Sequence, residues 1–114
     1  RESGYEGAAA LMALRPPPTA IFAFNDRMAM GAIHCLRERG YRVPGDISVA
    51  GFDDIASAAN FDPPLTTVHF SPVEIGRRAA ALLFACLEEH QNVCTEEVLP
   101  VELIVRCSTA PLSC

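Results

Sequence analysis

Apolar positions recur along the chain at two spacings, one helical and one extended. In residues 3–14, Tyr5, Ala8, Ala9 and Met12 share one face of a helix, and Ser3 stands where a cap would. "RPPP" ends that helix, because proline lacks the donor and restricts the residue before it. "TAIFAF", residues 19–24, is a continuous apolar run and predicts a buried strand. In "NDRMAMGAIHCLRERG", Ala29, Ala32, Ile33 and Leu36 form a second helical stripe. Asn25 or Asp26 can cap it, and Arg37, Arg39 and Gly40 are stop signals. "VPGDISVAGF" supplies a Pro-Gly turn and a second buried strand, residues 47–52. "DDIASAANFDPP" reads as a loop, and "LTTVHF" as a β-branched third strand.

"SPVEIGRRAAALLFACLEEH" carries the clearest helical signal. Ser71 caps, Pro72 takes the first helical position, and Glu74 completes a capping box. Ile75, Ala79, Leu82, Leu83 and Cys86 fall on one face. "EEVLPVELIVRC" closes with one or two strands. Strand, helix and strand within about 30 residues make a βαβ unit with parallel strands. Unbroken apolar strands suit a sheet covered on both faces. The fold class is therefore α/β, a parallel sheet with helices on both faces.

Composition narrows the function. The 114 residues suffice for one modest domain, and half of them are hydrophobic, which is globular composition. A net charge of -5 argues against this segment holding a nucleic-acid backbone. No stretch approaches a membrane span, so no membrane partner is expected. "RESGYEGAAALMALRPPP" opens mid-helix without an initiator Met, so a segment of a longer protein is expected. Cys35, Cys86, Cys94, Cys107 and Cys114 are odd in number and contain no C-x-x-C pair. They read as reduced, packed thiols of a cytoplasmic protein, with no metal site and no disulfide framework.

Ligands of parallel sheets bind beyond the carboxyl ends of the strands. The first strand ends in Asn25-Asp26 and the second in Asp53-Asp54. Neighbouring strands lie about 4.8 Å apart. An amide and a carboxylate at that spacing can grip vicinal hydroxyls. Asn25 and Asp53 are the candidate ligand contacts. Asp26 divides evenly between cap and contact, and Asp54 reads as a turn cap before Ile55. The third strand brings His69, Phe70 and Ser71 to the same edge, with Phe70 either core or stacking platform. His34 and His69 read as surface or interface residues. No G-x-G-x-x-G, P-loop, G-x-S-x-G or H-E-x-x-H occurs, so no enzyme and no cofactor are expected. Asp53 and Asp54 holding Mg²⁺ for phosphoryl chemistry would need a phosphate cradle that the sequence lacks.

The ordered stretches "PTAIFAFNDRMAMGAIHCLRERGYRVPGDISVAGFDD", "PPLTTV", "GRRAAALL" and "LPVELIVRCST" resemble the LacI/GalR family of bacterial transcription regulators, from about Tyr5 to Thr109. The resemblance implies part of a type I periplasmic-binding-protein-like domain that binds a small-molecule effector, often a sugar or purine, between two lobes. Residues 1–70 would belong to the C-terminal lobe. Residues 71–114 would form a crossover helix and terminal strands that pack on the N-terminal lobe and return. Operator DNA would be bound through a helix-turn-helix domain absent from this chain. Asn25, Asp53 and Phe70 are the implied effector contacts, and Pro72 departs from relatives that carry an aromatic there. Met30, His34, Asn60 and Phe61 are the implied dimer contacts, with Met30 and Phe61 expected to be exposed. If the other lobe is missing, the 72–89 helix face needs another cover, so a homodimer or a domain-swapped oligomer is expected. The alternative is one half of a periplasmic-type sugar-binding protein without DNA binding.

Overall fold

The computed structural model describes residues 1–89 and 96–112. His90, Cys94 and Cys114 lie outside the described residues. The elements run α1 (Glu2–Met12), β1 (Ala20–Phe22), α2 (Asp26–Glu38), β2 (Ser48–Ala50), a 3₁₀ turn (Ala56–Ala58), β3 (Thr67–His69), α3 (Pro72–Glu89) and β4 (Glu102–Ile104). Among the described residues they form two compact units. One holds residues 1–69 and 102–112, the other 70–89 and 96–101.

In the first unit β1 and β2 pair in parallel, Ile21 opposite Val49. β3 and β4 pair antiparallel, His69 opposite Glu102. Parallel bridges from Ala50 to Thr66 and from Asp53 to His69 join the two pairs. The ladders are shorter than the six-residue apolar runs predicted. Ala23 N–H still donates to Ala50 O at 2.9 Å, but the chain turns into α2 two residues later.

The predicted stripe of α2 is the core. Ile33, Leu36, Val49 and Leu65 are fully buried, and each contributes roughly 1.5–3 kcal/mol by leaving water. Helix α1 packs on α2 so closely that a Cβ on Gly4 would lie 2.0 Å from Met28 O. Ser3 is not the cap expected: α1 begins at Glu2 after Arg1, with no side-chain cap bond. Ile21, Ala23 and Val49 join the clusters formed with α1 and α2. The other side of β1 differs. Phe22 is 69% and Phe24 81% exposed, so the run expected to be buried throughout is buried on one side. Alternation puts these two rings opposite the helices, and nothing among the described residues of this unit covers them.

In the second unit Ser71 Oγ accepts from Glu74 N–H at 3.1 Å, the predicted cap. The Glu74 carboxylate does not close the box and pairs with Arg77 instead. Residues 96–101 lie along α3: Arg78 pairs with Glu97 at 2.9 Å, and Ile75, Ala79, Leu82 and Leu99 line a shallow groove there. Leu83, Phe84 and Leu87 remain exposed. Of the described cysteines, Cys35 is buried as expected, Cys86 is half-buried, and Cys107 is exposed.

Candidate functional site

The carboxyl ends of β1 and β2 converge as the parallel arrangement requires. Asp26 N–H donates to Phe52 O at 2.9 Å, which ties the start of α2 to the end of the second strand. Asn25 is the helix cap: its Oδ1 accepts from Met28 N–H at 2.9 Å, with extended backbone at φ -151°. The cap occupies the oxygen only. Its NH₂ group has no hydrogen-bond partner among the described residues, and the side chain is half-buried.

Asp26 is not the helix cap, a place Asn25 takes. It is fully buried. Its Oδ1 accepts from Thr67 Oγ1 at 2.5 Å, and its Oδ2 accepts from Ile55 N–H at 2.9 Å. One carboxylate thus joins α2, the loop after β2, and β3. Gly51 makes room for it: a Cβ there would lie 2.3 Å from Asp26 Oδ1.

Asp54 is not the turn cap expected: the 3₁₀ turn begins after Ile55 with no side-chain cap bond. The Asp54 carboxylate accepts from Arg106 Nη2 at 2.8 Å through Oδ1 and pairs with His69 Nδ1 at 2.9 Å through Oδ2. Burial pushes its pKa up, but the hydrogen bonds from Arg106 and His69 outweigh that, and the net direction is down.

Asp53 contrasts with both neighbours. Its carboxylate has no hydrogen-bond donor among the described residues. Its pKa is raised, first by desolvation and then by the nearby Asp26 charge. Its backbone sits at φ 117° and that of Asp54 at φ 54°. Such left-handed non-glycine residues cost on the order of 1–3 kcal/mol each and concentrate at functional sites. A half-buried carboxylate with no donor among the described residues can chemically accept from an O–H or N–H group.

Phe70 is the first residue of the second unit and is half-buried. His69 is exposed and engaged with Asp54. Met30 is 5% exposed, not the exposed residue expected. It lines a groove of about 390 Å³ together with Arg1, Arg27, Ile55, Ser57 and Phe61. Phe61 is half-buried and packs on the core. His34 and Asn60 are exposed, and His34 Nε2 lies 3.3 Å from Glu38. No group of three His, Cys, Asp or Glu side chains among the described residues could hold a metal. No described helix is long and apolar enough to cross a membrane.

The sequence reading missed Arg106 and Thr67. Arg106 carried a faint signal: it is the lone cation in the apolar run "VELIVRC". Thr67 carried none, since β-branched residues are ordinary in strands.

Comparison with known proteins places the chain. Residues 1–109 match the periplasmic binding protein-like domain family. The HTH-type transcriptional repressor PurR of Mannheimia succiniciproducens is 44% identical over 113 residues, covering 98% of this chain and 34% of the repressor. The chain thus spans about a third of the length of the curated relatives it matches. A ribose-bound LacI family transcriptional regulator from Enterococcus faecium superposes with a TM-score of 0.83 at 35% identity, covering 98% of this chain and 41% of that one. The lac repressor dimer bound to operator and the anti-inducer ONPF gives a TM-score of 0.84 at 35% identity, covering 95% and 37%.

Proposed function

Because the chain belongs to the periplasmic binding protein-like domain family, in its LacI-type effector-binding form, we propose that it is the effector-binding and dimerisation segment of a DNA-binding transcription repressor. The effector is a sugar, a related polyol or a purine. Asp53 accepts hydrogen bonds from its hydroxyl or N–H groups, and the Asn25 NH₂ donates from the end of the neighbouring strand. Phe70 is proposed on the resemblance alone, as a face for the effector's apolar side. The observation that carries this reading is the Asp53 carboxylate, which has no donor among the described residues at the carboxyl edge of β1 and β2, while the Asp26 and Asp54 carboxylates beside it are engaged. The ribose-bound regulator and the operator-bound dimer among the similar structures support ligand, DNA and self-association as the three partners.

In the whole regulator, effector binding changes the equilibrium between two arrangements of the lobes and so shifts operator affinity, which is a coupling between distinct sites. The protein works in the cytoplasm, where its operator is. The test is Asp53→Ala in the full-length protein with an operator fragment. Effector affinity falls by about 1–3 kcal/mol, because the effector's polar groups lose their acceptor, and effector-dependent DNA release is lost with it. Wild-type affinity and release in the variant would refute the assignment.

A further inference from the structure

Asp53 and Asp54 are the two non-glycine residues with positive φ among the described residues, and they are adjacent. Side chains at such angles persist only where their surroundings impose them. Three successive N–H groups are captured here. Asp53 N–H donates to Val68 O at 3.1 Å, Asp54 N–H to Thr67 Oγ1 at 3.3 Å, and Ile55 N–H to Asp26 Oδ2 at 2.9 Å. Those bonds hold the loop backbone.

Both Asp54 oxygens are occupied, one by Arg106 and one by His69. The Asp54 carboxylate is thus committed to protein partners on both oxygens. Arg106 is itself fixed at two further points. Its Nη1 donates to Leu65 O at 3.0 Å, and its backbone N–H donates to Thr66 Oγ1 at 2.9 Å. The guanidinium is a rigid fork whose arms serve Leu65 and Asp54. It is 19% exposed, and the Asp54 side chain is 17% exposed. His69 is the more exposed partner.

We infer that Arg106 is a positioning residue for the effector site: its ion pair with Asp54 holds the left-handed turn that presents the Asp53 carboxylate to an effector O–H or N–H donor. Arg106 lies 53 residues beyond Asp53 in sequence and touches the effector at no point in this scheme. Without the pair, Asp54 relaxes toward ordinary backbone angles, and the Asp53 carboxylate turns away with it. The inference rests on the effector-binding reading of Asp53.

The test uses the full-length protein and calorimetric titration with four probes: D-ribose, cellobiose, hypoxanthine and guanine. Wild type binds at least one of them, and Asp53→Asn weakens that probe about tenfold or more. Arg106→Met and Asp54→Asn each weaken the same probe about tenfold, and Arg106→Lys recovers part of the loss. In the Asp53→Asn background, Arg106→Met adds less than about twofold, because the group it positions is already gone. A purely structural role would not produce that coupling. Should Arg106→Met not fold, Asp54→Asn serves in both backgrounds. Equal losses in the two backgrounds, or wild-type affinity in Arg106→Met and Asp54→Asn while Asp53→Asn is impaired, overturn the positioning role and leave the site reading standing. Failure of every probe to bind wild type, or full affinity in Asp53→Asn, overturns the site reading and this inference together.

Discussion

Asp26 Oδ1 accepts a 2.5 Å hydrogen bond from Thr67 Oγ1, a side chain 41 residues away, inside a core that excludes water from both. With the Ile55 N–H on its second oxygen, this carboxylate is the point where α2, the loop after β2, and β3 meet.

Asp26→Ala is therefore expected to destabilise the protein by about 2–4 kcal/mol. Two buried donors lose a charged acceptor at once, and buried unsatisfied groups are costly. Asp26→Asn retains one acceptor oxygen and should cost less. Urea unfolding of the two variants measures both, and an Asp26→Ala loss below about 0.5 kcal/mol would contradict the role given to Asp26.

Asp53 should behave in the opposite way. Its pKa is raised in the folded protein, so the folded state disfavours its charge. Stability tied to this group is present below its ordinary carboxylate pKa and is lost as pH rises through the raised folded value. Asp53→Asn removes that penalty. The variant should be as stable as wild type or more so at pH 7, with the gain vanishing near pH 3, while it binds effector poorly. Such a trade of stability for function is common at binding sites. Thermal melts at the two pH values check it; a Tm well below wild type at pH 7 argues against the site.

Asp54 titrates with the reverse sign. Its folded pKa is depressed, so the pair with Arg106 contributes fully above the ordinary carboxylate value of about 4 and is lost as pH falls through the depressed one. Asp54→Asn should cost about 1–2 kcal/mol at pH 7, and the difference from wild type should shrink as pH drops below about 4. A difference independent of pH from 7 to 2.5 would show that the pair is not the source, a range chosen about the carboxylate pKa.

The proposed dimer surface is best probed at its exposed members. In the full-length protein, His34→Glu and Asn60→Glu together should raise the dimer dissociation constant about tenfold or more, since like charges brought together at an interface repel. Met30 and Phe61 are poor probes, because Met30 is buried and Phe61 packs on the core. Sedimentation across a concentration series would detect the shift, and an unchanged dimer would place the interface elsewhere.

The order of helices and strands, the parallel pairing of β1 with β2, and the α2 core stripe were legible because each depends on local periodicity. Ile33 and Leu36 sit where a spacing of 3.6 residues puts them. The strand-end position of Asn25 and Asp53 was legible for the same reason. Phe22 and Phe24 were misjudged because an apolar run reports which residues can be buried, and a second layer must exist to bury them. Met30 was misjudged because a helical wheel knows nothing of the 55–61 loop that flanks it.

The division of labour among the three aspartates was decided only by tertiary structure. In sequence, Asp26, Asp53 and Asp54 are equivalent carboxylates at strand ends, and an N-cap, a ligand contact and a turn cap were all open. Thr67, His69 and Arg106 separate them, and each lies 13 to 52 residues from the carboxylate or N–H it serves. A carboxylate's role is set by the donors that reach it through space. Periodicity could place all three carboxylates at one sheet edge. Among the described residues the folded chain gave donors to two of them and left the Asp53 carboxylate without one, which is why Asp53 is the proposed effector acceptor.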